Sequence, residues 1–404
     1  MSEWTPLRLA DAITVKHGFA FPGSGFGVSS SEPQVLTPAN FALSGEFQEA
    51  KPKSFSGPYP AEFLLSSEDV VITMTDLSKG GDTLGFATQL PPGRSYLHNQ
   101  RIGRVHFTNP DLLDPRYFQY LTRTVGYRSH ILGTASGSTV RHTSPSRIGN
   151  YVARVPSLRY QRAIGEVLGA LDDKIAANMA LARIATQLAS SEFTQFARRI
   201  EPGPTFDQIA TVSGGGTPST ANADFWEGGV SWATPTDMTA LAGPYLGATS
   251  RSISEAGLAA CSSKLFEPGA ILMTSRATIG AIAVSTIPTA VNQGFIVVEP
   301  HDERLRWWLF HEMESRVEEF ISWANGATFL ELSRGNFKRL PVRVPADNVV
   351  DSFAARVSAL HDRARAALEE NGTLAATRDA LLPQLMSGKL RVRDAEAVAA
   401  DAGA

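Results

Sequence analysis

The chain is written twice, and this restricts its fold more than any other feature. The stretch Ala135–Pro156, ASGSTVRHTSPSRIGNYVARVP, aligns without a gap with Ala324–Pro345, ANGATFLELSRGNFKRLPVRVP, 189 residues further on. Gly137 matches Gly326, Ser144 matches Ser333, and Arg154, Val155 and Pro156 match Arg343, Val344 and Pro345. Three shorter echoes keep the same order. HNQRIGRV (98–105) answers to VNQGFIVV (291–298), DVVITMT (69–75) to GAILMTS (269–275), and LADAITVKHGFAF (9–21) to IATVSGGGTPST (209–220). A repeat on this scale means one structural plan built twice, so 404 residues divide into two like halves.

After each Val-Pro comes a long helical pattern. In the first, Ile164, Leu168, Leu171, Ile175, Met179, Ala182, Ala185, Ala189, Phe193 and Phe196 recur at spacings of three and four. In the second, Phe353, Val357, Leu360, Ala364, Leu368, Leu374, Leu381 and Leu385 do the same, with polar interruptions at Asn371 and Arg378. Such a stripe must be buried, and pairing the two helices with each other buries both. Pro156 and Pro345 precede the helices, where proline is tolerated. Gly203-Pro204 and Gly388 are expected to end them. Roughly 40 helical residues reach about 60 Å. The expected order is a first module (1–156), a spacer helix (157–200), a second module (201–345), a second spacer helix (346–390) and a flexible C-terminal tail (391–404). Within each module, short apolar runs are punctuated by loops such as GPYPAEF and LPPGRSY, which suits a twisted sheet with a few helices. The fold class is α+β, with two pseudo-repeated α/β domains. Two enzyme domains whose helices simply cover sheets are the alternative, and the length of the stripes speaks against it.

The net charge of −3 excludes a protein that is basic as a whole. Charge is nevertheless uneven. Between Asp114 and Glu166 there is no acid, while Arg116, Arg123, Arg128, Arg141, Arg147, Arg154, Arg159 and Arg162 fall in that interval. This stripe suits phosphate contact, a solvated face or an acidic partner. The single cysteine, Cys261, excludes an intrachain disulfide and a thiolate cluster. With no apolar run of bilayer length, a cytosolic protein with no membrane contact is expected.

Catalytic signatures fail one by one. FAFPGSGFG (19–27) contains the F-x-G-x-G of an S-adenosylmethionine loop, but the matching stretch of the second half, GGGTPST, lacks it. The Asn/Asp-Pro-Pro-Tyr/Phe tetrapeptide of adenine methyltransferases is missing; LPPG (90–93) lacks its polar first residue. His311-Glu312 opens a zinc-protease helix whose second histidine is replaced by Ser315. Gly388-Lys389 ends like a P-loop, with Pro383 and Leu390 in place of the required residues. No catalytic residue, metal ligand or bound cofactor is expected.

The doubled organisation resembles the specificity subunit of type I restriction–modification enzymes, the HsdS family. The resemblance lies in VSGGGTPSTANADFWEGGVSWATPTDM, GAILMTSRATIGAIAV, VVITMTDLSKGGDTLG, RVPSLRYQRAIGEVLGALDDKI and LLPQLMSGKLRV, and covers nearly the whole chain. It implies two target recognition domains, each reading half of a split site in double-stranded DNA. It implies two long helices packed as an antiparallel coiled coil that sets the gap and docks two modification (methyltransferase) subunits, with restriction–translocation subunits joining. S-adenosylmethionine, ATP and Mg would then sit on the partner subunits. One departure is His361, which stands where Asp172 stands in the first helix. The two modules also differ in charge, +2 for 1–156 and −5 for 201–345.

Base readout needs paired donors and acceptors on loops. In the first module the candidates are Lys51, Lys53, Lys79, Arg94, Arg101, Arg141 and Arg147. In the second they are Thr217, Ser219, Arg251, Arg276, Arg334 and Lys338. Asn99-Gln100 and Asn292-Gln293 occur in both modules, which favours a shared structural role. Two rival readings are a two-headed protein-binding scaffold without catalysis and a fused DNA methyltransferase using the Phe21 loop.

Overall fold

The computed structural model describes residues 4–27, 29, 32–326 and 330–404. The second repeat block is therefore described except at 327–329. The chain forms two compact units, Met1–Lys174 with Thr373–Ala404, and Ile175–Gly372. The division falls inside the long helices rather than at their ends, so the last 32 residues of the chain belong to the first unit.

In the first unit, strand Thr5–Arg8 pairs antiparallel with Val152–Val155, which joins the start of the module to its end. The Val-Ala-Arg-Val run alternates in burial, with Ala153 and Val155 inward, as a half-buried strand should. A four-stranded antiparallel sheet follows, in the order Ile13–His17, Ile102–Phe107, Val70–Thr73, Ala87–Gln89. Val70–Thr73 is buried throughout, which explains its continuous apolar run. Val71 and Ile102 contribute to a core with Leu36, Phe41, Leu65, Phe86, Leu90 and Tyr96.

The second unit repeats this plan. Pro202–Thr205 pairs antiparallel with Pro341–Arg343. Its larger sheet runs Ala210–Ser213, Phe295–Pro300, Ile271–Thr274, Ile282–Ser285, with Tyr245–Leu246 added at the edge. The four shared strands occur in the same chain order and the same sheet order in both units, and three of the four sequence echoes fall on them. The first long helix is Leu158–Ala197 and the second is Asp347–Met386, each of 40 residues. In the second unit their segments lie antiparallel, since Asn178 meets Asn371, Ala182 and Ala185 pack with Ala364, and Glu192 reaches Arg356.

Two local expectations are corrected and one is met. Gly203 and Pro204 do not end the first helix. It stops at Ala197, and they lie in the strand Pro202–Thr205, where the pairing needs an extended chain. Gly388 does follow the second helix, with φ of +71°, the left-handed conformation that glycine tolerates. The tail at 391–404 is not without structure. Val392–Asp401 is a helix with Ala395 and Ala399 buried, because small apolar residues four apart share one helical face.

Candidate functional site

Both domains hold the end of the central strand in one backbone frame. Met74 N–H donates to the Arg101 carbonyl (2.9 Å), and Ser275 N–H donates to the Gly294 carbonyl (2.7 Å). The Met74 carbonyl accepts from Thr143 (3.0 Å), and the Ser275 carbonyl accepts from Leu332 (2.9 Å). Asn99 and Asn292 each accept, through the side-chain oxygen, the N–H two residues on. This is a turn-forming bond, and it gives the repeated Asn-Gln a structural role. Gly18 and Gly215 lie against those same turns. A Cβ would fall 2.2 Å from the Asn99 carbonyl oxygen or 1.9 Å from that of Val291, so only glycine fits. The hairpin of the long repeat block closes beside the strand end, through bridges Ser136–His142 and Asn325–Glu331.

On this frame the second domain carries a continuous polar surface. The Gly-Thr-Pro-Ser loop is clamped by two indole N–H groups, Trp226 to the Ser219 carbonyl and Trp232 to the Gly216 carbonyl, each 3.1 Å. Arg251 is exposed and lies 3.9 Å over the Trp226 ring, a cation–π contact that limits its rotamers. Thr217 donates to the side-chain oxygen of Gln293. Arg276 donates to the Gln293 carbonyl (2.9 Å) and faces Glu331 at 3.5 Å. Arg334 lies over Gly214, whose Cβ would meet its side chain at 2.9 Å. Five sequence candidates, Thr217, Ser219, Arg251, Arg276 and Arg334, thus share this surface with Gln293 and Glu331. Lys338 ends the short helix Arg334–Lys338. Glu331 was not among the residues singled out in the sequence.

In the first domain the structure gathers Lys79, Arg101, Arg141 and Arg147 near the matching strand end. Arg141 is paired opposite Asp76 and reaches the Lys79 carbonyl (3.4 Å). Arg147 donates to Ser136 Oγ (3.0 Å) and to the His142 carbonyl (3.3 Å). Lys51, Lys53 and Arg94 are not part of this set. Lys53 lies over the Phe26 ring at 4.2 Å, Lys51 is exposed, and Arg94 pairs with Glu49 at 2.9 Å.

The acid-free arginine stripe is largely consumed by the protein. Arg116 pairs with Asp173, Arg123 with Asp172 and Glu46, and Arg162 with Asp114. Arg128 donates to the Gly81, Asp82 and Leu84 carbonyls, and Arg154 to the Trp4 carbonyl. A lack of acids nearby in sequence is not a lack of acids nearby in space.

The polar interruptions of the second helix are met from the first. Arg378, 3% exposed, binds Asp172 at 2.8 Å and also contacts Glu46; Tyr120 donates to Asp172 at 2.6 Å. Burial, and then the Asp172 carboxylate, hold the Tyr120 phenol protonated well above its ordinary range. Asn371 is met by Asn178, whose amide donates to Asn371 (3.0 Å) and Glu370 (2.8 Å). Of the predicted seam, Ile164, Leu168, Leu171, Phe353, Val357, Leu381 and Leu385 are buried, while Ile175, Leu360 and Leu368 are half-buried. Met179 is a correction. It is 40% exposed, because Asn178 turns inward at that level to meet Asn371. His361 answers the Asp172 position differently. It is fully buried, stacks on Trp307 at 3.5 Å, and bonds Tyr245 (2.8 Å) and His311 (3.0 Å).

The remaining signatures are structural. Phe21 packs edge-on to Phe19 and Phe55, and a Cβ at Gly25 would strike the Phe55 ring. Glu312 is buried between Arg316 and Arg343. Among the described residues no group of histidines, cysteines and acids could hold a metal ion, and no helix is long and apolar enough to cross a membrane.

A family model described as the type I restriction modification DNA specificity domain matches residues 205–368. The chain is 32% identical over 156 residues to the type I restriction enzyme MjaIX specificity subunit of Methanocaldococcus jannaschii, covering 38% of this chain and 36% of that one. It is 25% identical over 179 residues to the HindI specificity subunit of Haemophilus influenzae, covering 44% and 39%. The matched segments thus span little more than a third of these curated relatives. The fold is similar to that of the type I S subunit from M. genitalium, with a TM-score of 0.59 at 15% identity over 95% of this chain and 96% of that one. The second half of the chain is thus similar to the DNA specificity domain of type I restriction–modification specificity subunits.

Proposed function

We propose that this chain is the non-catalytic DNA-recognition subunit of a cytoplasmic type I restriction–modification complex. Each domain reads one half of a bipartite site in double-stranded DNA. The paired helices set the gap between the halves and dock two modification subunits, and restriction–translocation subunits join that complex. S-adenosylmethionine, ATP and Mg belong to those partners. The observation that carries this reading is one backbone frame built twice with different polar side chains on it. Arg101 stands where the second domain has Gly294, and Thr75 where it has Arg276. A scaffold for two identical ligands would repeat the side chains as well as the frame. The stacked Arg251 and the clamped loop supply the ordered donors that base edges and phosphates require.

The test is a genome-wide map of modified adenines with and without the chain. Loss of modification at one split motif, two short blocks around a fixed gap, is the expected result. A map that does not depend on the chain would refute the reading.

A further inference from the structure

The shared frame identifies matched positions that the sequence repeat hides. Met74 and Ser275 occupy the same station, fixed by two backbone hydrogen bonds each. The next residues, Thr75 and Arg276, are therefore equivalent. Each is bridged to the same partner position on the repeat hairpin, Thr75 to His142 and Arg276 to Glu331. The backbone is the same and the chemistry is not. In the first domain Thr75 Oγ1 meets His142 Nδ1 at 3.1 Å. In the second a guanidinium faces a carboxylate.

The second pair is arranged to present charge. Glu331 is 46% exposed and the Arg276 side chain 36% exposed. Arg276 spends Nη2 on the Gln293 carbonyl and on Glu331. Its Nε–H is buried without a partner among the described residues, and most of its five N–H donors remain unused. The next residue, Ala277, has φ of +62° in the left-handed region, a strained conformation for a non-glycine residue. At the matching site Asp76 has no positive φ. Its carboxylate instead ties down Ser78 and Thr83. The strained turn thus accompanies the arginine.

We propose, resting on the reading of the chain as a DNA-recognition subunit, that Arg276 and Glu331 are the base-reading pair of the second domain and recognise a G·C base pair. An arginine forks onto N7 and O6 of guanine, and a glutamate accepts from N4 of cytosine. Both groups are held by the protein before DNA arrives, so less side-chain freedom is lost on binding. The carboxylate also rejects thymine, whose O4 would face it as a second acceptor. Thr75 and His142 hold the same station in the first domain, without a guanidinium to fork guanine.

The test uses the full chain with its modification subunits. Methylation rates are measured on duplexes carrying each of the four base pairs at every position of both half-sites. Arg276→Gln and Glu331→Gln should each lose discrimination at one and the same base pair, G·C in the unvaried complex, by about tenfold to a hundredfold. The other half-site should be unaffected. The double variant Arg276→Thr/Glu331→His should take on the preference that the first domain shows at its matching position. A uniform fall in rate across all sequences would make Arg276 a phosphate contact and overturn the proposal. Effects of the two single variants at different base pairs would overturn it as well. If the unvaried complex methylates no split site, the recognition-subunit reading itself fails.

Discussion

Replacing Arg378 with methionine should loosen the first unit strongly and locally. Arg378 is almost fully buried and shares the carboxylates of Asp172 and Glu46 with Arg123, which approaches them at 3.3 and 3.6 Å. Without Arg378, two acids are left beside one guanidinium. Breaking a buried ion pair by removing one partner costs ~3–5 kcal/mol. The Asp172 and Glu46 side chains are 15% and 27% exposed, so the lower end, about 3 kcal/mol, applies. Hydrogen exchange read by mass spectrometry on the whole protein is the assay, because it resolves local opening. Amides of Pro115–Leu121 and of the first long helix around Asp172 should exchange on the order of a hundredfold faster. The double variant Arg378→Met/Asp172→Leu should recover part of that, since apolar replacement of a buried pair is close to neutral while the Tyr120 hydroxyl loses its acceptor. A change below about fivefold in the single variant, or a double variant worse than the single, would show that the network does not hold the helices.

Other expectations follow from the same helices. Asn178→Leu leaves the Asn371 side-chain oxygen without its donor in the seam, while the Asn371 NH2 keeps the Ile175 carbonyl, and should lower the stability of the second unit by about 1–3 kcal/mol in denaturant unfolding; Asn178→Leu/Asn371→Leu should recover it. Met179→Gln, at an exposed position, should stay within about 0.5 kcal/mol of the parent in the same measurement. His361 is pushed down to about 2, first by burial and then by His311, so the unfolded chain takes up its proton below about 6.5 while the folded chain does not. Its contribution is present at neutral pH and is lost as pH falls below about 6.5, at about 1.4 kcal/mol per unit. Tryptophan fluorescence reports mainly on the second unit, which holds Trp226, Trp232, Trp307, Trp308 and Trp323 against Trp4 alone in the first. Its denaturant midpoint should drop between pH 6.5 and pH 5, and His361→Phe should flatten that slope.

The plan of the fold was legible because it is written as periodicity. The repeat marks equivalent strands, and the spacing of Ile164 to Phe196 marks a helix. The two polar interruptions were visible as residues, but their partners were not. Asp172 and Asn178 lie about two hundred residues from Arg378 and Asn371, and only the antiparallel pairing brings them together. That pairing is also why Met179 turns outward. The site was legible in residue type and only partly in place. Lys51, Lys53 and Arg94 carry the right chemistry but lie apart from the strand end that gathers Lys79, Arg101, Arg141 and Arg147. Loops of different length separate the shared strands in the two domains. The sequence offset therefore drifts, and Thr75 and Arg276 cannot be matched without the backbone bonds around Met74 and Ser275.

On the proposed function, each domain reads its own half-site. Exchanging residues 1–156 for the corresponding module of a specificity subunit with another target, and mapping modified adenines again, tests it most directly. One block of the split motif should change while the other block and the gap stay the same. A change in both blocks, or in neither, would contradict it.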